Sequence, residues 1–215
     1  HYRAIDISFH ENHTYLKILK KGKEYTRINT PLYGRHNMSN LLSVVALSQS
    51  LEIDPMIMCV AIKGFKGIKR RQEIKGEKAG VLVLDDFAHH PTAVKETISA
   101  VKEKYRTRRV VAVFEPRSNS SRRNIFQKTY ATSFDLADLV LIPEPPLMEK
   151  IPSAERFSSI KLVEDLRKRG LKAIYCPNTD NLLDEVIRVS REGDVILLMS
   201  NGSFDNLPHR LLKGL

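Results

Sequence analysis

The feature that most constrains this chain is a set of short, almost uninterrupted Val/Leu/Ile runs in its second part, at residues 81–85, 110–114, 139–142, 173–175 and 195–199. A strand built only of apolar residues has no face to give to water, so other layers must cover both of its faces. These runs alternate with helix-period segments at residues 92–104, 123–134, 158–169, 181–191 and near 206–212. The alternation predicts a mostly parallel sheet sandwiched by helices, an α/β fold of Rossmann-like type. Ligands of such sheets sit beyond the carboxyl ends of the strands, so function is to be sought in the residues that follow each strand.

The first part has a different grammar. Residues 3–9, 14–19 and 24–29 read as three strands of an antiparallel meander, with turns at Glu11-Asn12-His13 and at residues 20–23. Leu41, Leu42, Val44, Val45, Leu47 and Leu51 then recur at helical spacing after His36-Asn37, and Asp54-Pro55 supplies a cap followed by proline at the first helical position. Two helices packed beside a sheet edge are expected. Residues 63–71 hold two glycines and five basic residues, a break in composition that suits a linker or ligand-lining loop and places a domain boundary near Lys69. The expected organisation is therefore residues 1–69 and residues 70–215.

The 215 residues carry 35 Lys+Arg against 25 Asp+Glu, a net charge of +10 that favours anionic partners. The excess is even: residues 1–69 hold ten basic and five acidic residues, and residues 70–215 hold 25 and 20. A basic nucleic-acid-binding module is the remote alternative, but the chain has neither aromatic-studded strands nor a recognition helix, so no nucleic-acid partner is expected. Two cysteines, Cys59 and Cys176, suggest neither a disulfide framework nor a Cys-based zinc site, and a reducing cytoplasm is the expected location. The apolar runs fall far short of the roughly 20 residues that span a bilayer, so no membrane insertion is expected. The first residue is His1 rather than Met, and the N-terminus reads as cut or processed. The sequence sets no oligomeric state.

Three strand ends deliver polar groups to one rim. Asp85-Asp86-Phe87-Ala88-His89-His90-Pro91 follows the first, Glu115-Pro116-Arg117-Ser118-Asn119 the second, and Ser200-Asn201-Gly202-Ser203-Phe204 the last. Together they form the pattern of a polar ligand site. Each also has a plain structural reading: Asp85-Asp86 can begin a loop and help cap the next helix, and Arg117 can be a surface charge. Adjacent histidines without supporting spacing are more often hydrogen-bonded loop residues than metal ligands, and no metal site is expected. In the first part, Asn37 and Asn40 lie three apart at a helix start, so both amides can face one side with the donor and acceptor needed to read an adenine edge; helix capping by Asn37 is the alternative. Arg70-Arg71 offers guanidinium groups suited to phosphate, or a solvated charge run. No G-x-x-x-x-G-K-[ST] phosphate-binding loop occurs, since Gly22-Lys23 is followed by Glu24.

Three segments, in order and spacing, resemble the ATP-dependent murein (Mur) ligases: residues 33–40 (Tyr33-Gly34-Arg35-His36-Asn37-Met38-Ser39-Asn40), residues 67–73 (Gly67-Ile68-Lys69-Arg70-Arg71-Gln72-Glu73) and residues 85–93 (from Asp85-Asp86-Phe87 to Ala93). Residues 114–119 and 199–204 look most like the branch of that family that adds a peptide, while residues 120–124 depart from its pattern. The resemblance implies that residues 1–69 are the last part of a central ATP-binding domain and residues 70–215 a Rossmann-like C-terminal domain for the incoming peptide. It implies an ATP- and Mg²⁺-dependent amide ligase joining UDP-N-acetylmuramate to the murein tripeptide L-Ala-γ-D-Glu-meso-diaminopimelate through an acyl phosphate, in cell-wall peptide recycling, with the fragment alone inactive. Addition of L-alanine to the same nucleotide sugar is the alternative. By the same resemblance Asn37 and Asn40 contact adenine with His36 beside them, Arg71 reaches ribose or the γ-phosphate, and Asp86 holds the ribose hydroxyls. His89 and His90 line the substrate cleft, Arg117 and Asn119 recognise peptide carboxylates, and Ser200, Asn201 and Phe204 line the peptide pocket.

Overall fold

The structure is a computed structural model that describes residues 1–10 and 13–215, so residues 11 and 12 of the expected first turn lie outside the described residues. The chain divides into two compact units, His1–Ile68 and Lys69–Leu215.

In the first unit, β1 (Tyr2–Phe9), β2 (Thr14–Lys20) and β3 (Lys23–Thr30) form an antiparallel sheet in the order β1-β2-β3. Residues Thr14, Leu16 and Ile18 of β2 are buried while Tyr15 is exposed, the period of two that gives one face to the core. Helices α1 (Arg35–Ser50) and α2 (Pro55–Gly64) cover it: Met38, Leu41, Val45, Met58 and Ile62 pack with Leu16, Ile18 and Ile28. Asp54 caps α2, its Oδ1 accepting from the backbone N–H groups of Met56 and Ile57 at 2.7 and 3.2 Å. Both helices are also apolar on a second side. Val44, Leu47 and Leu51 of and just after α1, and Met56, Ile57 and Val60 of α2, are exposed, which is unusual for helices already packed on one face.

The second unit is a six-stranded mixed sheet in the order β4-β5-β9-β6-β7-β8. Strands β5 (Val81–Asp86), β6 (Arg109–Phe114), β7 (Leu139–Pro143), β8 (Ala173–Cys176) and β9 (Asp194–Met199) are parallel, and all but the edge strand β8 are buried along nearly their whole length, as suits a sheet covered on both faces. Alternate residues along each strand enter different cores. Leu82, Leu84, Val110, Ala112, Phe114, Val195 and Leu197 pack under α3 (Pro91–Lys104), α4 (Gln127–Tyr130) and α5 (Ser159–Lys168). On the other face Val83, Val111, Val113, Ile196 and Leu198 pack under α6 (Thr179–Val189) and α7 (Leu207–Gly214). The chain thus runs β5-β6-β7-β8 outward through helices on one face, then returns through α6 to insert β9 between β5 and β6.

Two elements differ from the sequence expectation. Strand β4 (Glu73–Lys78) pairs antiparallel with β5 at the sheet edge and was not predicted. Its sequence EIKGEK has one large apolar residue, and the register shifts between Ile74 and Gly76, so it has the charge and irregularity of a protected edge rather than the signature of a core strand. The expected helix over residues 123–134 contracts to a 3₁₀ turn and the single-turn α4. The hydroxyls of Thr132 and Ser133 turn back onto the Thr129 carbonyl at 3.0 and 3.1 Å, offering the backbone an alternative to continued helix, while Tyr130 and Phe134 anchor the segment against Phe114.

Phe114 is fully buried at the end of β6, against both of those rings. Replacing it with alanine is expected to lower stability by about 3–5 kcal/mol, measured by urea unfolding; a loss below about 1 kcal/mol would contradict this packing.

Candidate functional site

The strand order brings the ends of β5, β9 and β6 side by side, and the backbone ladder continues past them. Ser200 N–H donates to the Asp86 carbonyl at 3.1 Å, and Glu115 N–H donates to the Met199 carbonyl at 2.9 Å. The three polar segments singled out from the sequence therefore share one rim.

Asp86 is buried, and backbone donors hold its carboxylate: Ala88 N–H at 2.7 Å on Oδ1 and Gln72 N–H at 2.8 Å on Oδ2, with the Thr97 hydroxyl at 3.4 Å. Burial pushes its pKa up and the two backbone N–H groups oppose that shift. In this geometry Asp86 ties the loop before β4 to the loop after β5. Arg70 and Gln72 in the former loop have φ of 56° and 52°, a left-handed conformation that needs such support. Asp85 is paired with Arg70, Nε to Oδ2 at 3.2 Å, and the same guanidinium donates from Nη2 to the Ser200 carbonyl at 2.6 Å. Arg70 is thus engaged within the fold. Arg71 is exposed, with its guanidinium carbon 5.3 Å from the Phe87 ring centre.

The histidines follow their structural reading more than a ligand-binding one. His90 caps α3, with Nδ1 accepting from Thr92 N–H at 3.4 Å, and its ring meets Phe126 edge-on at 4.7 Å. His89 Nδ1 lies 2.9 Å from the Phe87 carbonyl, and the His89 carbonyl accepts from the Tyr130 hydroxyl.

At the ends of β6 and β9 the side chains form a connected set. Glu115 accepts from the Ser200 hydroxyl on one oxygen and from Arg117 Nη1 at 3.3 Å on the other. The Ser200 Oγ in turn accepts from Gly202 N–H at 2.9 Å. The Glu115 side chain is 3% exposed and that of Arg117 31%, so the pair is dry at one end and open at the other. Burial raises the Glu115 pKa, with the Ser200 hydroxyl and Arg117 opposing. Asn201 carries a buried Oδ1 with no hydrogen-bond partner. Asn119 is exposed, and its Oδ1 accepts from Arg122 Nη2 at 2.8 Å.

Two expected pocket-lining residues lie deeper than a ligand contact. Ser200 is 1% exposed with its hydroxyl engaged, so it supports Glu115, and Phe204 is 2% exposed within the α6–α7 core. Phe204, Asp205 and Asn206 all have left-handed φ, 49°, 47° and 54°, so the turn after β9 is strained at the rim itself. Glu115 and Gly202 stand in the segments read from the sequence but carry no individual role there, and Arg70, read with Arg71 as a guanidinium suited to phosphate, is instead engaged by Asp85 and Ser200. A carboxylate directly after a fully apolar strand was the available signal for Glu115.

In the first unit, Gly34 precedes α1 with φ of 89°, a conformation suited to glycine. His36, Asn37 and Asn40 follow in the first turns of α1. Asn37 Nδ2 donates to the Tyr33 carbonyl at 2.7 Å, and Asn40 is exposed. These three belong to one compact unit, and Arg71 and Asp86 to the other. Among the described residues no group of three or more His, Cys, Asp or Glu side chains is arranged to hold a metal ion, and no helix is long and apolar enough to cross a membrane.

The Mur ligase, glutamate ligase domain model matches residues 70–202. The UDP-N-acetylmuramate–L-alanyl-γ-D-glutamyl-meso-2,6-diaminoheptandioate ligase of Escherichia coli K12 is 35% identical over 200 residues, 93% of this chain and 42% of the relative. The UDP-N-acetylmuramate–L-alanine ligase of Clostridium kluyveri is also 35% identical, over 89% of this chain and 41% of its own length. A murein peptide ligase from Psychrobacter arcticus superposes with a TM-score of 0.68 at 30% identity, covering 99% of this chain and 44% of that structure. The chain spans less than half the length of these relatives. With a family model covering most of the second unit and the rim motifs in place, the chain belongs to the Mur ligase family.

Proposed function

We propose that residues 70–215 form the amine-acceptor domain of an ATP-dependent ligase that joins UDP-N-acetylmuramate to the murein tripeptide L-Ala-γ-D-Glu-meso-diaminopimelate, as in the reuse of cell-wall peptides in the cytoplasm. The observation that carries this reading is the half-open Arg117 guanidinium at the joined ends of β6 and β9. A guanidinium fork suits a substrate rich in carboxylates, and the tripeptide carries several. L-Alanine as acceptor is the second reading, favoured by the equal identity of the Clostridium kluyveri relative.

In the proposed reaction a carboxylate oxygen of UDP-N-acetylmuramate attacks the γ-phosphorus of ATP, releasing ADP and forming an acyl phosphate. The free amine of the acceptor then attacks the acyl carbon, and the tetrahedral intermediate expels phosphate and loses a proton to give the amide. Mg²⁺, when bound, neutralises charge among the phosphates. What this chain contributes is position. Arg117 and Asn119 would orient acceptor carboxylates, and Asn201, His89 and His90 would line the same cleft. Holding an amine in attack geometry is worth up to about 7–11 kcal/mol. Arg71 would meet nucleotide phosphate or ribose, Asp86 would present the ribose-facing loop, and His36, Asn37 and Asn40 would face adenine.

We further propose that residues 1–69 are the last part of a central ATP-binding domain. The second apolar side of α1 and α2, with Leu47, Met56 and Val60 each more than 60% exposed, supports this, because contiguous apolar surface of this kind marks a face that another layer covers.

In the longer enzyme that this reading requires, Arg117→Ala is expected to raise the tripeptide KM at least tenfold and leave the ATP KM within about twofold, the effect of losing one charged hydrogen bond; equal effects on both would contradict the assignment. Coupled ADP release with tripeptide against L-alanine decides between the two acceptors, and faster turnover with L-alanine would overturn the first reading. Val60→Lys is expected to change the stability of the 215-residue chain by less than about 0.5 kcal/mol but to destabilise the longer enzyme by about 2 kcal/mol or more. Equally small shifts in both, measured by thermal unfolding, would refute the central-domain assignment.

A further inference from the structure

Glu115 is as buried as Asp86, yet no backbone N–H holds its carboxylate; its partners are the Ser200 hydroxyl and Arg117. An isolated carboxylate in so dry a position is unfavourable for folding, and an apolar side chain of similar size would serve the core as well or better. What Glu115 adds there that an apolar side chain cannot is its contact with the Arg117 guanidinium at the rim. Gly202 supplies the second half of the observation. A Cβ built on Gly202 would collide with Cδ, Nε and Cζ of Arg117, so the guanidinium stem lies directly over this glycine. The backbone of Gly202 is not in the left-handed region, so space for Arg117, not φ, is what the missing side chain provides. The interactions close into a ring: Gly202 N–H donates to Ser200 Oγ, the Ser200 hydroxyl to Glu115, Arg117 to Glu115, and Arg117 lies on Gly202. The ion pair engages Nη1 and leaves the parallel donors Nε and Nη2, the pair that binds a carboxylate bidentately.

We propose that Glu115 is a positioning residue for acceptor recognition, fixing the Arg117 guanidinium over Gly202 so that its remaining donors meet a carboxylate of the incoming amine substrate. This rests on the acceptor-site reading of the rim given above. Arginine loses much rotational freedom when it binds a ligand, and a guanidinium already held in place loses less at that moment.

The test is a double-mutant cycle in the longer enzyme with the tripeptide as variable substrate. Glu115→Gln keeps the shape and removes the charge. It is expected to raise the tripeptide KM about tenfold with kcat and the ATP KM within about twofold, the fold-change of one lost charge-assisted contact. Because Glu115 acts through Arg117, the double variant E115Q/R117A is expected to match R117A alone. Gly202→Ala displaces the Arg117 stem without altering charge and is expected to reproduce the KM increase of E115Q. Multiplying effects in the double variant, or a wild-type tripeptide KM in G202A while R117A raises it, would overturn the proposal and leave the acceptor reading standing. A wild-type tripeptide KM in R117A itself would overturn the acceptor reading and the proposal together. Should E115Q not fold, Glu115→Asp, which keeps the charge but draws it back from Arg117, takes its place in the cycle with the same expected and contrary outcomes.

Discussion

The insertion of β9 between β5 and β6 is the constraint on which the rest of the second unit depends. It buries the central strand on both faces and both edges, and it makes three loops, far apart in sequence, neighbours at one end of the sheet. Ladder hydrogen bonds that continue one residue beyond the strands carry this register into the loops, so Asp86, Ser200 and Glu115 start from fixed positions. Everything polar at the rim is then a matter of which side chains those positions hold.

Two buried carboxylates organise the rim in different ways. Asp86 is satisfied by backbone N–H groups and clasps two loops, one of them with left-handed residues at Arg70 and Gln72. Glu115 is satisfied by side chains and faces a guanidinium that is still partly in water. The first arrangement is a brace. The second couples a dry interior charge to a wet one, which is how a fold can hold a long, flexible arginine in one place. The strained turn at Phe204–Asn206 lies beside this pair and is supported from below by the burial of Phe204.

Much of this was legible in the sequence, and the reasons for the rest are physical. Continuous apolar runs such as Val195–Met199 announced two-sided burial, and caps such as Asp54 announced helix starts. Strand β4 was not legible because an edge strand is selected for charge and irregularity, and Glu73–Lys78 has no alternation to read. The helix expected over residues 123–134 is cut short where the Thr132 and Ser133 hydroxyls both bond the Thr129 carbonyl, which would otherwise accept from the next helical turn. At the rim, the motif residues lie where strand ends predicted them. The division of labour among them was not visible: that the Ser200 hydroxyl is spent on Glu115 and that Arg117 lies on Gly202 depend on partners 85 residues away in the chain, and that His90 caps α3 depends on the turn its ring makes toward Thr92 N–H.

The central claim is that the joined ends of β5, β9 and β6 bind the acceptor. It is tested most directly by titrating the ¹⁵N-labelled 215-residue chain with the murein tripeptide and following backbone amide shifts. The account predicts perturbations concentrated at residues 117–119 and 200–203. Perturbations centred instead at the opposite ends of the strands, around Arg109, Leu139 and Asp194, or none at millimolar peptide, would contradict it.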